Sequence, residues 1–492
     1  MLSHARALAL GAGAAALSSL PLTASERVRL SVPISAAGLA PPLAPAVDSS
    51  GAPMTLLQVQ IAFRHGARTP VDDHGSTEVA WRADETDKAS DLLRMGKIHL
   101  VRPGSGDVIS PHHLFRPARG VAKAGAPSLH GGAQPGMLTR VGLQQAVELG
   151  GELRRRYVDE EAHSSEQVRR NLLLPRLWSS ARRLVHTRST RVERTVFSAQ
   201  GVLAGLYPEA AREGTLESDV MLNTAAGSNR SEFMVLNDAG CPRLQELFMQ
   251  GLQLSAEHLD AQQLAAIDAV EEHTHWMAGS EELRLLNYRD TYACLRAAGK
   301  PVPDGVQREA AALDRASARQ MHAIFEGGAA FTPAPEKTRH EALRLAIGRM
   351  LAHIVEKLDR PDGVLHLYSG HDWTVTPLLM CVAKRDEPAL QLWPPFCSNI
   401  AFELWSSRPA DASGINHHDC EGGSTSDDRH VRVLLNGSPI AMQCAAHGRD
   451  TCSLQDFKRM LESLYSSPNF QAECKASASK PAAPVAKPRF NK

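Results

Sequence analysis

The sequence predicts an α/β protein carrying a mostly helical inserted segment. Three observations predict it: apolar runs of strand length end in polar clusters near residues 64, 188 and 371, helical patterns follow these runs, and residues 210–340 read as mostly helical. A chain of 492 residues is also longer than one hydrophobic core usually serves, so a large domain with an insertion is the natural organisation.

In chain order, MLSHARALALGAGAAALSSLPLTAS offers Arg6, an apolar run from Ala7 to Leu17 and small residues near Ala24, so residues 1–24 read as a targeting segment. A secretory signal is the preferred reading; the serines, Arg27, Arg29 and the late first acid, Glu26, keep a mitochondrial presequence as the alternative. Residues 25–53, rich in Pro, Ala and Gly towards their end, read as a flexible linker. The α/β domain is then expected over 54–209 and 341–470, interrupted by the 210–340 insertion. The segment 475–492, KASASKPAAPVAKPRFNK, carries only positive charge and no packing pattern, and reads as a disordered tail.

Within the domain, MTLLQVQIAF alternates Leu57, Val59, Ile61 and Phe63 against Gln58 and Gln60, the period of a half-buried strand. It runs into Arg64, His65 and Arg68, with Gly66 permitting a sharp turn and Pro70 ending the continuation. Like charges gathered at a strand end call for an anion. The stretch 72–136, with its Gly, Pro and His, has no sustained period and reads as a long loop. A helix is predicted over 139–157, with Leu143, Ala146, Val147, Gly150, Leu153 and Tyr157 at helical spacing, Thr139 as N-cap, and Arg154, Arg155 and Arg156 as a solvated face. Next come a strand through Leu184 and Val185, a turn at Arg188-Ser189-Thr190, and a helix towards Leu206. Later, Val364, Leu365 and Leu367 form a buried strand ending in Gly370-His371-Asp372 before another helix.

Composition narrows the function. With 54 basic and 54 acidic residues there is no net field to draw nucleic acid, and no apolar stretch beyond the N-terminus is long enough to span a membrane. The eight cysteines form no CxxC pair; they fit disulfides or buried thiols equally, with Cys444 and Cys452 the best candidates for a local bridge. His112-His113 and His417-His418 lack a nearby carboxylate pattern and read as loop residues, so no metal site is expected. The sequon at Asn229 is short enough to arise by chance.

Ligands bind at the carboxyl ends of strands in open α/β sheets, and those ends here offer Arg64, His65, Arg68, Arg188, His371 and Asp372. Arginine forks match phosphate oxygens and stay charged. A neutral imidazole attacks phosphorus, and a protonated Asp372 would supply the leaving alkoxide with its proton, favouring reaction below neutrality. A flanking pocket from the 72–136 loop and the helical insertion would then meet the leaving group.

RHGARTP with SGHD resembles the histidine acid phosphatase family, and GMLTRVGLQQAVELGGELRRRYV, TRSTRVERT, GLYP, WPPFCSNIAFEL and VRVLLNG look like family blocks in the family's order. HGGAQPGMLTRVGLQQ and LQLWPPF look like its lysophosphatidic acid phosphatase (type six) subgroup. The resemblance implies a mixed central sheet flanked by helices, with a smaller helical inserted domain. It implies His65 as the phosphorylated nucleophile, Arg64, Arg68, Arg188 and His371 as phosphate ligands, Asp372 as proton donor, no metal or cofactor, and a small phosphate monoester or lysophospholipid as substrate. The chain departs from the family's pattern at Arg191, which would point to solvent or add a fourth cation, and at Trp373, which would narrow the leaving-group pocket or raise the Asp372 pKa. The alternatives are an inositol polyphosphate phosphatase, which would need cations such as Arg82, Lys97, Arg102, Arg116 and Arg119 to converge; a phosphomutase, which would be expected to lack the Asp372 acid; and a phosphate- or lipid-binding relative without activity.

Overall fold

The computed structural model describes residues 46–48, 51–71, 79–102, 105–109, 128–159, 173–223, 232–237, 240–276, 280–361, 364–407, 428–465 and 469–475. The targeting segment, most of the expected linker, the tail beyond 475, Arg116, Arg119, the two His-His pairs, Cys420 and the Asn229 sequon lie outside them.

Among the described residues, ten strands form one sheet: β1 (Thr55–Arg64), β2 (Lys97–Val101), β3 (Val108–Ile109), β4 (Val185–Ser189), β5 (Glu217–Leu222), β6 (Leu365–Gly370), β7 (Asn399–Ser406), β8 (Arg429–Leu435), β9 (Ser438–Pro439) and β10 (Thr451–Ser453). Their order is β10-β8-β7-β1-β6-β4-β5-β2-β3, with β9 beside β8. The run from β1 through β6, β4 and β5 to β2 is parallel, and the flanks are antiparallel, so the sheet is mixed. The main helices are α1 (Arg140–Tyr157), α2 (Glu193–Leu206), α3 (Pro242–Glu257), α4 (Ala261–His273), α5 (Arg284–Ala297), α6 (Asp304–Phe325), α7 (Pro335–Asp359), α8 (Asp372–Val382) and α9 (Leu454–Tyr465).

Helices cover both faces, which corrects one expectation. β1 is not half-buried: Val59, Ile61 and Phe63 pack with α1 and α2, while Ala62 packs with α7 and α8 on the other side. Gln58 and Gln60 therefore have no access to water. Buried amides must find partners. Gln60 Nε2 donates to the Ile354 carbonyl at 2.9 Å and to Gln58 Oε1 at 3.1 Å, and Tyr368 donates its hydroxyl to Gln60 Oε1 at 2.9 Å.

A second correction concerns α1. Thr139 caps it as expected, accepting from the Gly142 amide at 3.1 Å. The arginine run at its end is not a solvated face, however. Arg154 is buried, pairs with Asp159 at 3.0 Å and Glu209 at 3.2 Å, and donates to the Leu206 carbonyl. Arg156 lies 3.5 Å from the buried carboxylate of Glu403.

Between 210 and 340 the chain first supplies β5 to the main sheet; the helices α3 to α6 follow. The stretch 72–136 is not one long loop, since it supplies β2 and β3 to the sheet; a separate apolar cluster ties α4, α5 and α6 to its Trp81, Leu129 and Ala133. Two disulfides are present among the described residues. Cys444–Cys452 is the expected local bridge, and Cys241–Cys474 joins the start of α3 to the C-terminal residues. Cys294, Cys381 and Cys397 are buried thiols. Among the described residues, no helix is long and apolar enough to cross a membrane.

Candidate active site

Because β1, β6 and β4 are adjacent and parallel, with Arg64 level with Gly370 and Ser369 level with Ser189, whatever follows each strand meets at one place. The loop after β1 is held by other elements. The Gly66 amide donates to Ser198 Oγ on α2 at 3.0 Å, and the Ala67 amide to Gln145 Oε1 on α1 at 2.9 Å. Gly66 is needed here for contact, not for a turn: its φ is not positive, but a Cβ would sit 1.9 Å from the Gly142 carbonyl oxygen. Gly142 is constrained reciprocally, since its Cβ would lie 2.0 Å from the Ala67 oxygen.

His65 is buried at the centre. Its Nδ1 lies 2.7 Å from the Gly66 carbonyl, which can only accept, so Nδ1 carries the proton and Nε2 keeps its lone pair. Burial, helped by Arg194, His371, Arg64 and Arg68, holds its pKa well below the usual histidine value. The imidazole is neutral wherever the protein is folded and near neutral pH.

Arg64 is fully buried, donates to the Pro394 carbonyl at 2.7 Å, lies over the Phe396 ring at 4.2 Å, and has Nη2 2.9 Å from Asp372 Oδ2. Burial brings its pKa down to about 10. Arg68 is held by Asp290 of α5, with Nη2 to Oδ1 at 2.7 Å and Nη1 to Oδ2 at 3.1 Å. Burial opposes its charge, but Asp290 outweighs burial and raises its pKa.

His371 stands just before α8, its Nε2 3.0 Å from Thr190 Oγ1 and its ring edge-on to His65 with centroids 5.5 Å apart. Burial, then Arg194, pushes its pKa down to about 3, so it too is neutral. Asp372 accepts from the Trp373 amide at 3.0 Å and from Trp393 Nε1 at 2.9 Å. Burial works against its ionisation, yet Arg64, Arg68, the Trp393 N–H and His371 prevail and bring its pKa down to about 2. The pKa thus sits at the acid end, and neither burial nor Trp373 raises it. The Trp373 ring instead lies against Phe325 and Phe248, centroids 5.0 and 5.7 Å away.

Arg188 does not join the group. It lies within β4 rather than in a turn, level with Tyr368, and its guanidinium reaches Asn223 Oδ1 at 3.3 Å and lies over Phe233. The cation that β4 does bring is Arg194, in the first turn of α2. It acts on His65 and His371, and its own pKa falls to about 10 through burial and then Arg68. Its Nη1 donates to the Gly136 carbonyl at 3.3 Å, while Nε is buried and unbonded. Lys88 and Glu193 form a buried ion pair beside it that fixes the start of α2. Arg191 is half-buried.

The comparison with known families matches this geometry. Residues 55–436 fit the histidine phosphatase superfamily (branch 2). The chain belongs to that superfamily. As a histidine phosphatase it resembles lysophosphatidic acid phosphatase type 6 of Bos taurus, 26% identical over 368 residues, covering 72% of this chain and 75% of the relative. It is 29% identical over 303 residues to testicular acid phosphatase of Mus musculus, covering 57% and 62%. The Hafnia alvei phytase complex with myo-inositol hexakis sulphate shares the fold, with a TM-score of 0.51 at 13% identity, covering 86% of this chain and 98% of that one. The family and these relatives make the protein a phosphoric monoester hydrolase.

For this histidine phosphatase, sequence reasoning reached five of the clustered residues, Arg64, His65, Arg68, His371 and Asp372. It missed Arg194, Asp290, Arg289 and Trp393. A signal for Arg194 existed in TRSTRVERT: the first turn of a helix leaving a strand end faces the same crevice as that end. Asp290 had none, because α5 is brought in by tertiary packing alone.

Proposed function

We propose that this histidine phosphatase hydrolyses phosphate monoesters through a phosphohistidine, with His65 Nε2 as nucleophile. Arg64, Arg68 and Arg194, with His371, hold the phosphoryl oxygens, and Asp372 passes a proton to the leaving group and later takes one from water. The observation carrying this reading is a neutral His65 whose Nδ1 is bonded to the Gly66 carbonyl, leaving Nε2 its lone pair, set among Arg194, Arg64 and Arg68, with Asp372 paired to Arg64. Arg194, rather than Arg188, is the third phosphate ligand. Arg194→Ala is expected to lower kcat/KM about 100- to 1000-fold, the cost of removing a charge-stabilising donor, whereas Arg188→Ala should lower it less than about tenfold. Steady-state kinetics on an aryl phosphate check both.

The pH dependence follows from Asp372 being ionised when the site is free. The proton the leaving group needs then enters with the substrate, as a phosphate monoanion, and settles between phosphate and Asp372. A monoester loses that proton near pH 6, so kcat/KM should fall about tenfold for each unit above roughly pH 6. A substrate with a more acidic phosphate should move this limb down; a limb that stays fixed would assign it to the enzyme instead.

A lysophospholipid is the substrate class the surroundings favour. Phe396 and Trp373, both partly exposed, offer aromatic surface beside Arg64 and Asp372, backed by the buried rings of Trp393, Phe325 and Phe248. Two of the cations an inositol polyphosphate would call on are placed badly for it. Arg82 is exposed and paired with Asp84, and Lys97 lies on β2, four strands from β1 or about 19 Å at ordinary strand spacing. Inorganic phosphate release from lysophosphatidic acid, an aryl phosphate and phytate ranks the alternatives; preference for phytate would reverse the assignment, and release from none of them would leave a phosphate-binding relative. The helices 242–325 would be the inserted unit that walls this pocket, and the two disulfides accord with an oxidising compartment reached by secretion.

A further inference from the structure

The phosphate cluster is completed by the helical segment. On α5, Asp290 engages both Nη atoms of Arg68, which leaves Arg68 Nε buried and without a hydrogen bond. The preceding residue, Arg289, lies over the Trp393 ring at 4.7 Å, and Trp393 donates to Asp372. One helix thus touches the phosphate side through Asp290 and the proton side through Arg289.

The charges can be counted. The loop after β1 and β1 itself bring Arg64 and Arg68, α2 brings Arg194, α8 brings Asp372 and α5 brings Asp290; both imidazoles are neutral, Cys294 is a protonated thiol, Arg289 is paired with Asp314 of α6 at 2.8 Å, and Lys88 is paired with Glu193. Among the described residues, three guanidinium charges against two carboxylates leave one positive charge. A phosphate monoanion neutralises it, whereas a dianion overshoots and draws a proton into the site. We propose that Asp290 is a positioning residue of the phosphate pocket: it fixes the Arg68 guanidinium and, by cancelling one cation, retains in the occupied site the proton that the leaving group receives.

This rests on the phosphatase reading above, and Asp290→Asn separates the two. The profile of kcat reports the occupied site, while that of kcat/KM reports free enzyme and free substrate. Removing the negative charge makes the shared proton leave more easily. The alkaline limb of kcat should therefore move to lower pH by about one unit, the effect of one charge several ångströms away, while the kcat/KM limb stays where the substrate sets it. Asp290→Glu keeps the charge on a longer arm, so it should turn over more slowly with the kcat limb at the wild-type position. An Asp290→Asn enzyme that is slower with its kcat limb unmoved, or moved upward, overturns the proposal. Should Asp290→Asn lack a cooperative unfolding transition, Asp290→Glu decides: a displaced kcat limb in that variant overturns the proposal and an undisplaced one supports it. Absence of phosphate release by the wild type would instead sink the phosphatase reading itself.

Discussion

His65→Ala is expected to abolish turnover, lowering kcat at least ~10⁴-fold on any monoester, because the covalent route through the imidazole has no substitute in the pocket. The neighbouring His371 cannot take over. Its Nε2 is occupied at 3.0 Å by Thr190 Oγ1, and it stands at the head of α8 rather than in the loop after β1. The variant should fold normally, since the loop is held through the Gly66 and Ala67 amides and not through the imidazole. Rapid quenching of the wild type during turnover of a radiolabelled ester should give label that survives alkali and is lost in acid, as expected of phosphohistidine. The same quench of His65→Ala should give none; label retained by the variant would move the nucleophile elsewhere.

The largest effect on stability is expected at Glu403, far from the chemistry. Its carboxylate, only 1% exposed, accepts from Tyr157 at 2.9 Å, from Arg432 Nε at 2.7 Å and from Trp405 Nε1 at 3.2 Å. Burial disfavours the charge, but Arg432 and Arg156 outweigh it and hold the carboxyl below its usual range. Glu403→Ala takes from the buried Arg432 guanidinium its nearest carboxylate, Asp450 being 3.6 Å away, and from the Tyr157 hydroxyl its acceptor. A loss of about 3–5 kcal/mol follows, the cost of breaking a buried pair from one side. The exposed pair Arg385–Glu336 is the control: Arg385→Ala should stay within about 1 kcal/mol of wild type. Denaturant unfolding of both variants measures the difference, and equal midpoints would contradict it.

What was legible in the sequence had local causes. The period of β1, the Thr139 cap, the end of α2 at Leu206 and the passage from β6 into His371-Asp372 each depend on neighbours within a few residues. Illegible features depend on what packs across. Gln58 and Gln60 read as solvent-facing because nothing local reveals that helices cover both sides of β1. Arg154 and Arg156 read as a wet face because their carboxylate partners come from Asp159, Glu209 and β7. Arg188 reads as a phosphate ligand because a cation follows the apolar run there, whereas the structure sets it beside Asn223 and brings Arg194, in the first turn of the next helix, to His65 and His371. Whether burial raises the Asp372 pKa was open for the same reason: burial was foreseeable, but the guanidinium groups and the Trp393 N–H around it were not.

The sheet order also governs when this enzyme comes into being during synthesis. β1 is made early, yet both of its neighbours, β6 and β7, are made late, and β6 must slide between β1 and β4 before their ends meet. Until residue 370 has left the ribosome, His65 and Arg194 have no common wall, and β1 presents two open edges to anything it meets. Such non-local pairing is slow and aggregation-prone. A nascent or truncated chain ending before β6 is thus a client for chaperones and not a fragment with weak activity: capacity to bind phosphate arrives in a single late step, with the strand that closes the middle of the sheet.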